Sequence, residues 1–165
     1  MKTLLTALFI TFMLVPGIQA QDVDDQDIID RASRAIENNV ELTGSDISVF
    51  SVHGYVLLAG QVLSPQQRQA VSVTVAFAAR DIRRLINELE VVDALDDSFN
   101  EDDQAILDQI IEVIPEMSPE TLPVIHNGVV HLLGQVTREE GNEVATAISK
   151  MTGVRNIRLS YEFVQ

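Results

Sequence analysis

The sequence predicts an α+β protein of two tandem α-β-β-α-β domains, each a small three-stranded sheet packed on two helices. Three observations carry that prediction. His53 to Val62 aligns with Asn127 to Val136 at a constant offset of 74 with six identities in ten, so one unit is written twice. Upstream of each aligned stretch, apolar residues recur three and four apart, the spacing of a one-faced helix. Each stretch also holds a Gly-containing pair next to an apolar run, the signature of a hairpin. Two copies of about 65 residues are too few for a stacked solenoid, which needs three or more units, so each copy is read as a domain with its own core.

The opening helix carries Ile28, Ile29, Ala32, Ala35 and Ile36 in the first copy and Ile106, Leu107, Ile110, Val113 and Ile114 in the second. These align at offset 78, so the second copy is four residues shorter before its hairpin, a loop difference of small cost. His53-Gly54 and Asn127-Gly128 are two-residue turns needing positive φ, which Gly, Asn and His tolerate better than most residues. Ser64-Pro65-Gln66-Gln67 and Thr137-Arg138-Glu139-Glu140 then supply a capping hydroxyl with Gln or Glu three residues on, which starts the second helices. Val71-Ser72-Val73-Thr74-Val75 alternates as a strand would; the cap, with Ala70, Phe77, Ala78 and Ala79, assigns it to helix. The closing strand alternates at Leu85, Asn87, Leu89 and Val91, and at Ile157, Leu159, Tyr161 and Phe163. Arg158, Ser160 and Glu162 are left for the other face.

Lys2, an apolar run from Leu4 to Val15, the break at Pro16-Gly17 and the small Ala20 read as a signal peptide over residues 1–20, cleaved after about Ala20. That run is short of the ~20 residues a membrane span needs, so no transmembrane span is expected in the mature protein, which is assigned to the periplasm. The remaining boundaries are an acidic tail at 21–25, domain 1 at 26–92, an acidic linker at 93–103 and domain 2 at 104–165. The net charge of −14, with 11 Lys and Arg against 25 Asp and Glu, argues against nucleic acid, whose binding rests on basic side chains displacing counterions. The absence of cysteine removes disulfides, thiolate nucleophiles, Cys-bound zinc and lipidated Cys.

The string Gly-x-Val-x-Leu-x-Gly-Gln-Val spans Gly54 to Val62 and Gly128 to Val136, between an upstream helix and a downstream helix-strand. It resembles the BON domain, a family of exported bacterial envelope proteins, often tandem, folded α-β-β-α-β. The motif glycines Gly54, Gly60, Gly128 and Gly134 are structural in that resemblance, as is Gly153 of the Gly153-Val154 turn, where the first copy has Asp81-Ile82. The resemblance implies attachment to envelope components, phospholipid surfaces first, a role in osmotic-stress tolerance or envelope integrity, and no catalysis or cofactor.

Candidate binding residues are few. The second opening helix is greasier than the first because Ile111 replaces Ser33, which makes Ile106, Leu107, Ile110, Ile111 and Ile114 the candidate membrane or partner surface. The competing reading packs this helix on its own sheet and against the first copy. Arg80, Arg83 and Arg84 share one face at helical spacing and are the candidate phosphate contacts, unless they pair with Glu88, Glu90 or the acidic linker. His126 and His131 are diagonal neighbours across the second hairpin, read as surface residues rather than a metal pair, since no third ligand accompanies them. The acidic tracts lack calcium-loop spacing, and no nucleophile elbow, phosphate loop or zinc-protease helix occurs, so no metal, cofactor or enzyme is expected. The function implied is an exported phospholipid-binding protein. The alternatives are a periplasmic chaperone for outer-membrane proteins and a structural partner in a larger envelope complex.

Overall fold

A computed structural model of the chain describes residues 24–95, 101–117 and 121–164; the signal segment, most of the acidic tail and the middle of the linker lie outside them. The predicted order occurs twice. The first unit contains α1 (Asp25–Glu37), β1 (Asp46–Val52), β2 (Tyr55–Val62), α2 (Pro65–Ala78) and a closing strand broken into β3 (Arg84–Asn87) and β4 (Glu90–Val91). The second contains α3 (Glu101–Met117), β5 (Thr121–His126), β6 (Val129–Val136), α4 (Arg138–Ile148) and β7 (Asn156–Phe163). Helices α1 and α3 begin inside the stretches read as acidic tail and linker. Carboxylates at helix starts explain this: Asp24 caps α1 by accepting from the Asp27 amide, and Asp25 and Asp27 sit in its first turn, where the helix dipole favours negative charge.

Each sheet has its hairpin's second strand at the centre. β1 and β2 pair antiparallel from Asp46 opposite Gln61 to Val52 opposite Tyr55, while β3 and β4 run parallel to β2 on its other edge. β5, β6 and β7 repeat this order. The hairpin turns have the expected left-handed backbone, with φ of 53° and 79° at His53 and Gly54 and 51° and 71° at Asn127 and Gly128. Gly60 has a different reason to be glycine: at φ 124° a Cβ there would lie 2.1 Å from the Asp46 carbonyl oxygen of the paired strand.

The Ser64 hydroxyl accepts from the Gln67 amide and starts α2 as helix, so Val71 and Val75 turn inward together. With Ile28, Ala32, Val56, Leu58 and Val62 they form the first core; Ile106, Ile110, Val130, Leu132, Val136, Val144 and Ile148 form the second. The alternate residues of the central strands meet each other: Leu57 and Ala59 pack against Val124 and Leu133, bordered by Phe50, Val52, Ile86 and Leu122. The two sheets therefore lie back to back, and the layers run helices, sheet, sheet, helices. The apolar seam between copies is built by the sheets, where the competing reading of the 106–114 helix had it built by that helix.

Candidate binding surface

Three of the five residues proposed for the greasy surface of α3 are core. Ile106, Ile110 and Ile114 are 1%, 0% and 4% exposed and pack in the second core, because residues four apart on a helix share the face that lies on β6. Leu107 is half-buried, and Ile111 is 53% exposed. Among the residues of α3 whose burial is described, Ile111 therefore stands alone as a large exposed apolar side chain, at the position where α1 carries Ser33.

The three arginines do not share a helix face. Helix α2 ends at Ala78, Ala79 is extended and Asp81 has φ 67°, so Arg80 lies in the connection and Arg84 opens β3. The Arg83 amide donates to the Gly54 carbonyl at 2.9 Å, and its stem covers the hairpin turn, with Cγ 3.1 Å from where a Gly54 Cβ would be. Arg155 repeats this over Gly128, its amide donating to the Gly128 carbonyl at 2.8 Å. The arginine stem over the hairpin turn, Arg83 in the first copy and Arg155 in the second, is thus part of the fold. Arg84 sits opposite Tyr55 at the rim of the seam. Burial raises the Tyr55 phenol, as do the charge and hydrogen bond of Glu162 from the other unit; Arg84 and Arg83 oppose them. Among the described residues the ion pairs are Arg31 with Asp27 and Arg34 with Asp30, and no carboxylate pairs with Arg80, Arg83 or Arg84.

His126 and His131 are diagonal neighbours as expected, since His131 pairs with Val124, two residues from His126. His131 is not a surface residue, and His126 is half-buried. Their face of the sheet is the one covered by the first unit, which leaves His131 4% exposed with its Nδ1 unpartnered and buries an unpartnered Nε2 of His126. Burial pushes the His131 imidazole below its ordinary value, Glu88 of the first unit pulls it back, and Arg158 and His126 push it down further. Among the described residues no group of three or more metal-capable side chains forms. No helix among them is long and apolar enough to cross a membrane.

The motif glycines fall where such backbone is needed. Gly54 and Gly128 are in the turns, Gly60 and Gly134 lie within the central strands at φ 124° and 146°, and Gly153 precedes β7 at φ 92°. Asp81 takes the Gly153 position in the first unit with the same sign of φ, a conformation that Asp reaches more readily than most residues. Residues 24–93 match the sequence model of the BON domain.

The chain carries a BON domain.

The second unit repeats the element order of that BON domain. Over 154 residues the chain is 24% identical to the outer membrane lipoprotein DolP of Haemophilus influenzae, covering 90% of this chain and 79% of that protein. Two solved structures of CdsD, a structural protein of the type III secretion system of Chlamydia trachomatis, align over 87% of this chain and 68% and 66% of theirs. They do so at 14% and 13% identity and a TM-score of 0.35, too loose a likeness to bear on function.

One exposed surface escaped the sequence reading. Phe77 on α2 of the BON domain is 87% exposed, Val73 one turn earlier 48%, and Val40 in the adjoining turn 84%. In the sequence Phe77 marks helix and nothing more. The signal lay in the duplication: aligning the caps Ser64 and Thr137 places Thr146 opposite Val73 and Lys150 opposite Phe77, so the fold does not require apolar residues at either position.

Proposed function

We propose that this chain is an exported, non-catalytic BON-domain protein of the bacterial envelope that attaches to phospholipid surfaces. The carrying observation is Ile111, a large apolar side chain left in solvent at a position where the first unit is served by Ser33. The name of the Haemophilus relative, an outer membrane lipoprotein, supports an envelope setting. The 165 residues hold no cysteine to acylate, so the attachment that they can offer is made by side chains. Burying one isoleucine contributes roughly 1.5–3 kcal/mol, enough for reversible contact and far short of permanent anchoring.

Liposome flotation with anionic and zwitterionic vesicles tests this reading. Ile111→Asp is expected to leave the melting temperature unchanged and to lower the bound fraction by about tenfold or more. Wild-type protein that stays at the bottom of the gradient ends the lipid reading. Suppression of aggregation of an unfolded outer-membrane barrel, without flotation, would favour the chaperone instead.

A further inference from the structure

We infer that the outward face of α2, formed by Val73, Ala76 and Phe77 with Arg80 just beyond the helix, docks on an anionic phospholipid surface. This rests on the lipid reading above and adds a second contact, on the opposite side of the molecule from Ile111. The side follows from the layer order: α2 covers the outer face of the first sheet and α3 the outer face of the second.

The face is built by ordinary helix geometry. Val71 and Val75 are fully buried, so Val73 and Phe77, each two residues from one of them, must point away from the core. The Asn39 side chain donates to the Thr74 hydroxyl at 2.9 Å and fastens the turn carrying exposed Val40 beside the same helix. Stability does not explain these residues, since the second unit folds with Thr146 and Lys150 at the equivalent positions. A solvent-exposed phenylalanine on a helix that can be polar calls for an apolar partner outside the molecule.

Charge decides which partner. From Ile47 through Arg80 there is no Asp or Glu, in a chain that has 25. Extending to Asn87 adds Asp81, so the stretch carries Arg68, Arg80, Arg83 and Arg84 against one carboxylate, 4 − 1 = +3, within a chain of −14. Arg68 is occupied by Asn87, donating to its carbonyl at 3.0 Å, whereas Arg80 is exposed and pairs with no carboxylate among the described residues. Helix α1, packed beside α2, carries Asp27 and Asp30, which pair with Arg31 and Arg34, and Glu37; Glu41 lies on the Val40 turn, whereas Arg80 follows α2 at its C-terminal end. An apolar face flanked by unpaired guanidinium suits acyl chains beneath anionic headgroups. A second copy suits it poorly, because two such faces would bring like charges together.

Flotation of the full chain tests this with two vesicle types, phosphatidylglycerol mixed with phosphatidylethanolamine, and phosphatidylcholine alone. In an Ile111→Asp background, which removes the contact on the other side, Val73→Thr combined with Phe77→Ser is expected to keep the melting temperature and to lower the remaining binding to the anionic vesicles by about tenfold. Arg80→Glu is expected to weaken binding to the anionic vesicles at low salt and to leave phosphatidylcholine unaffected. Adding Ile111→Asp to the α2 double variant is expected to lower binding again. If the two α2 changes take nothing from the binding that Ile111→Asp leaves, the α2 face is no lipid contact and the lipid reading survives. Wild type that binds neither vesicle overturns both. A change of mass on gel filtration without vesicles would make the face a self-association surface and overturn this inference alone.

Discussion

Asp25 and Asp103 do the same work in the two units. Asp25 accepts hydrogen bonds from the Ser51 hydroxyl at 2.6 Å and from the amides of His53 and Gly54 at 2.7 and 2.8 Å. Asp103 accepts from the amides of Asn127 and Gly128, both at 2.6 Å. Each carboxylate ties the first turn of a helix to a hairpin turn whose left-handed residues leave two amides unpaired within the strand ladder. Asp25→Ala should therefore lower stability by about 2–3 kcal/mol, the scale of hydrogen bonds to a charged group, with Asp25→Asn intermediate. Urea denaturation checks this, and a midpoint like that of wild type would show that water replaces the carboxylate at no cost. These two residues were only half legible in the sequence. The offset of 78 that aligns Ile28 with Ile106 also aligns Asp25 with Asp103, but both fell in acidic runs, where a charge count treats every carboxylate as solvated. The partner turn lies more than twenty residues away and leaves no periodic trace beside the acid.

Helix α2 is the element in which local pattern and tertiary structure conflict most. Three valines at alternate positions favour a strand, and the helix wins because Ser64 caps it and because Val71 and Val75 find the core four residues apart. Asn87 adds a brace from the closing strand, its amide donating to the Arg68 carbonyl and the Ser72 hydroxyl at 2.8 and 2.7 Å. With so weak an intrinsic preference, the cap matters more than usual. Ser64→Ala is expected to cost about 1 kcal/mol, or about 2–4 °C in melting temperature for a protein of this size, and an unchanged midpoint would show that packing alone holds the helix. The start of α2 was readable because capping is local chemistry. Its end was not: no Gly or Pro follows Ala78, so helical spacing ran on through the arginines in the sequence and placed on one face three residues that the structure scatters.

At the scale of the molecule, the feature that sequence patterns concealed is the seam. Both units and their order were visible in the duplication, but the residues that join them come from strands of different copies, and nothing local records that they meet. A hint was present in Val56-Leu57-Leu58-Ala59, apolar without alternation, which signals a strand covered on both faces. The seam also buries His131, and this sets a limit on acid stability. In the unfolded chain the imidazole titrates near 6.5; in the folded chain burial holds it lower, against the partial pull of Glu88 and with Arg158 and His126 acting in the same direction as burial. The unfolded state then binds more protons as pH falls through about 6.5 toward the folded value, so stability is full above that range and is lost across it. Carboxylates complicate a simple melt, because neutralising some of the −14 charge relieves repulsion as pH falls. Comparing wild type with His131→Leu, which keeps an apolar seam and removes the titration, separates the two effects. Between about pH 7.5 and 5.5 the wild-type melting temperature should fall relative to the variant, by about 2–4 °C for each kcal/mol that the buried imidazole forfeits. Parallel curves would mean that the seam opens or hydrates enough for His131 to titrate as it does in the unfolded chain.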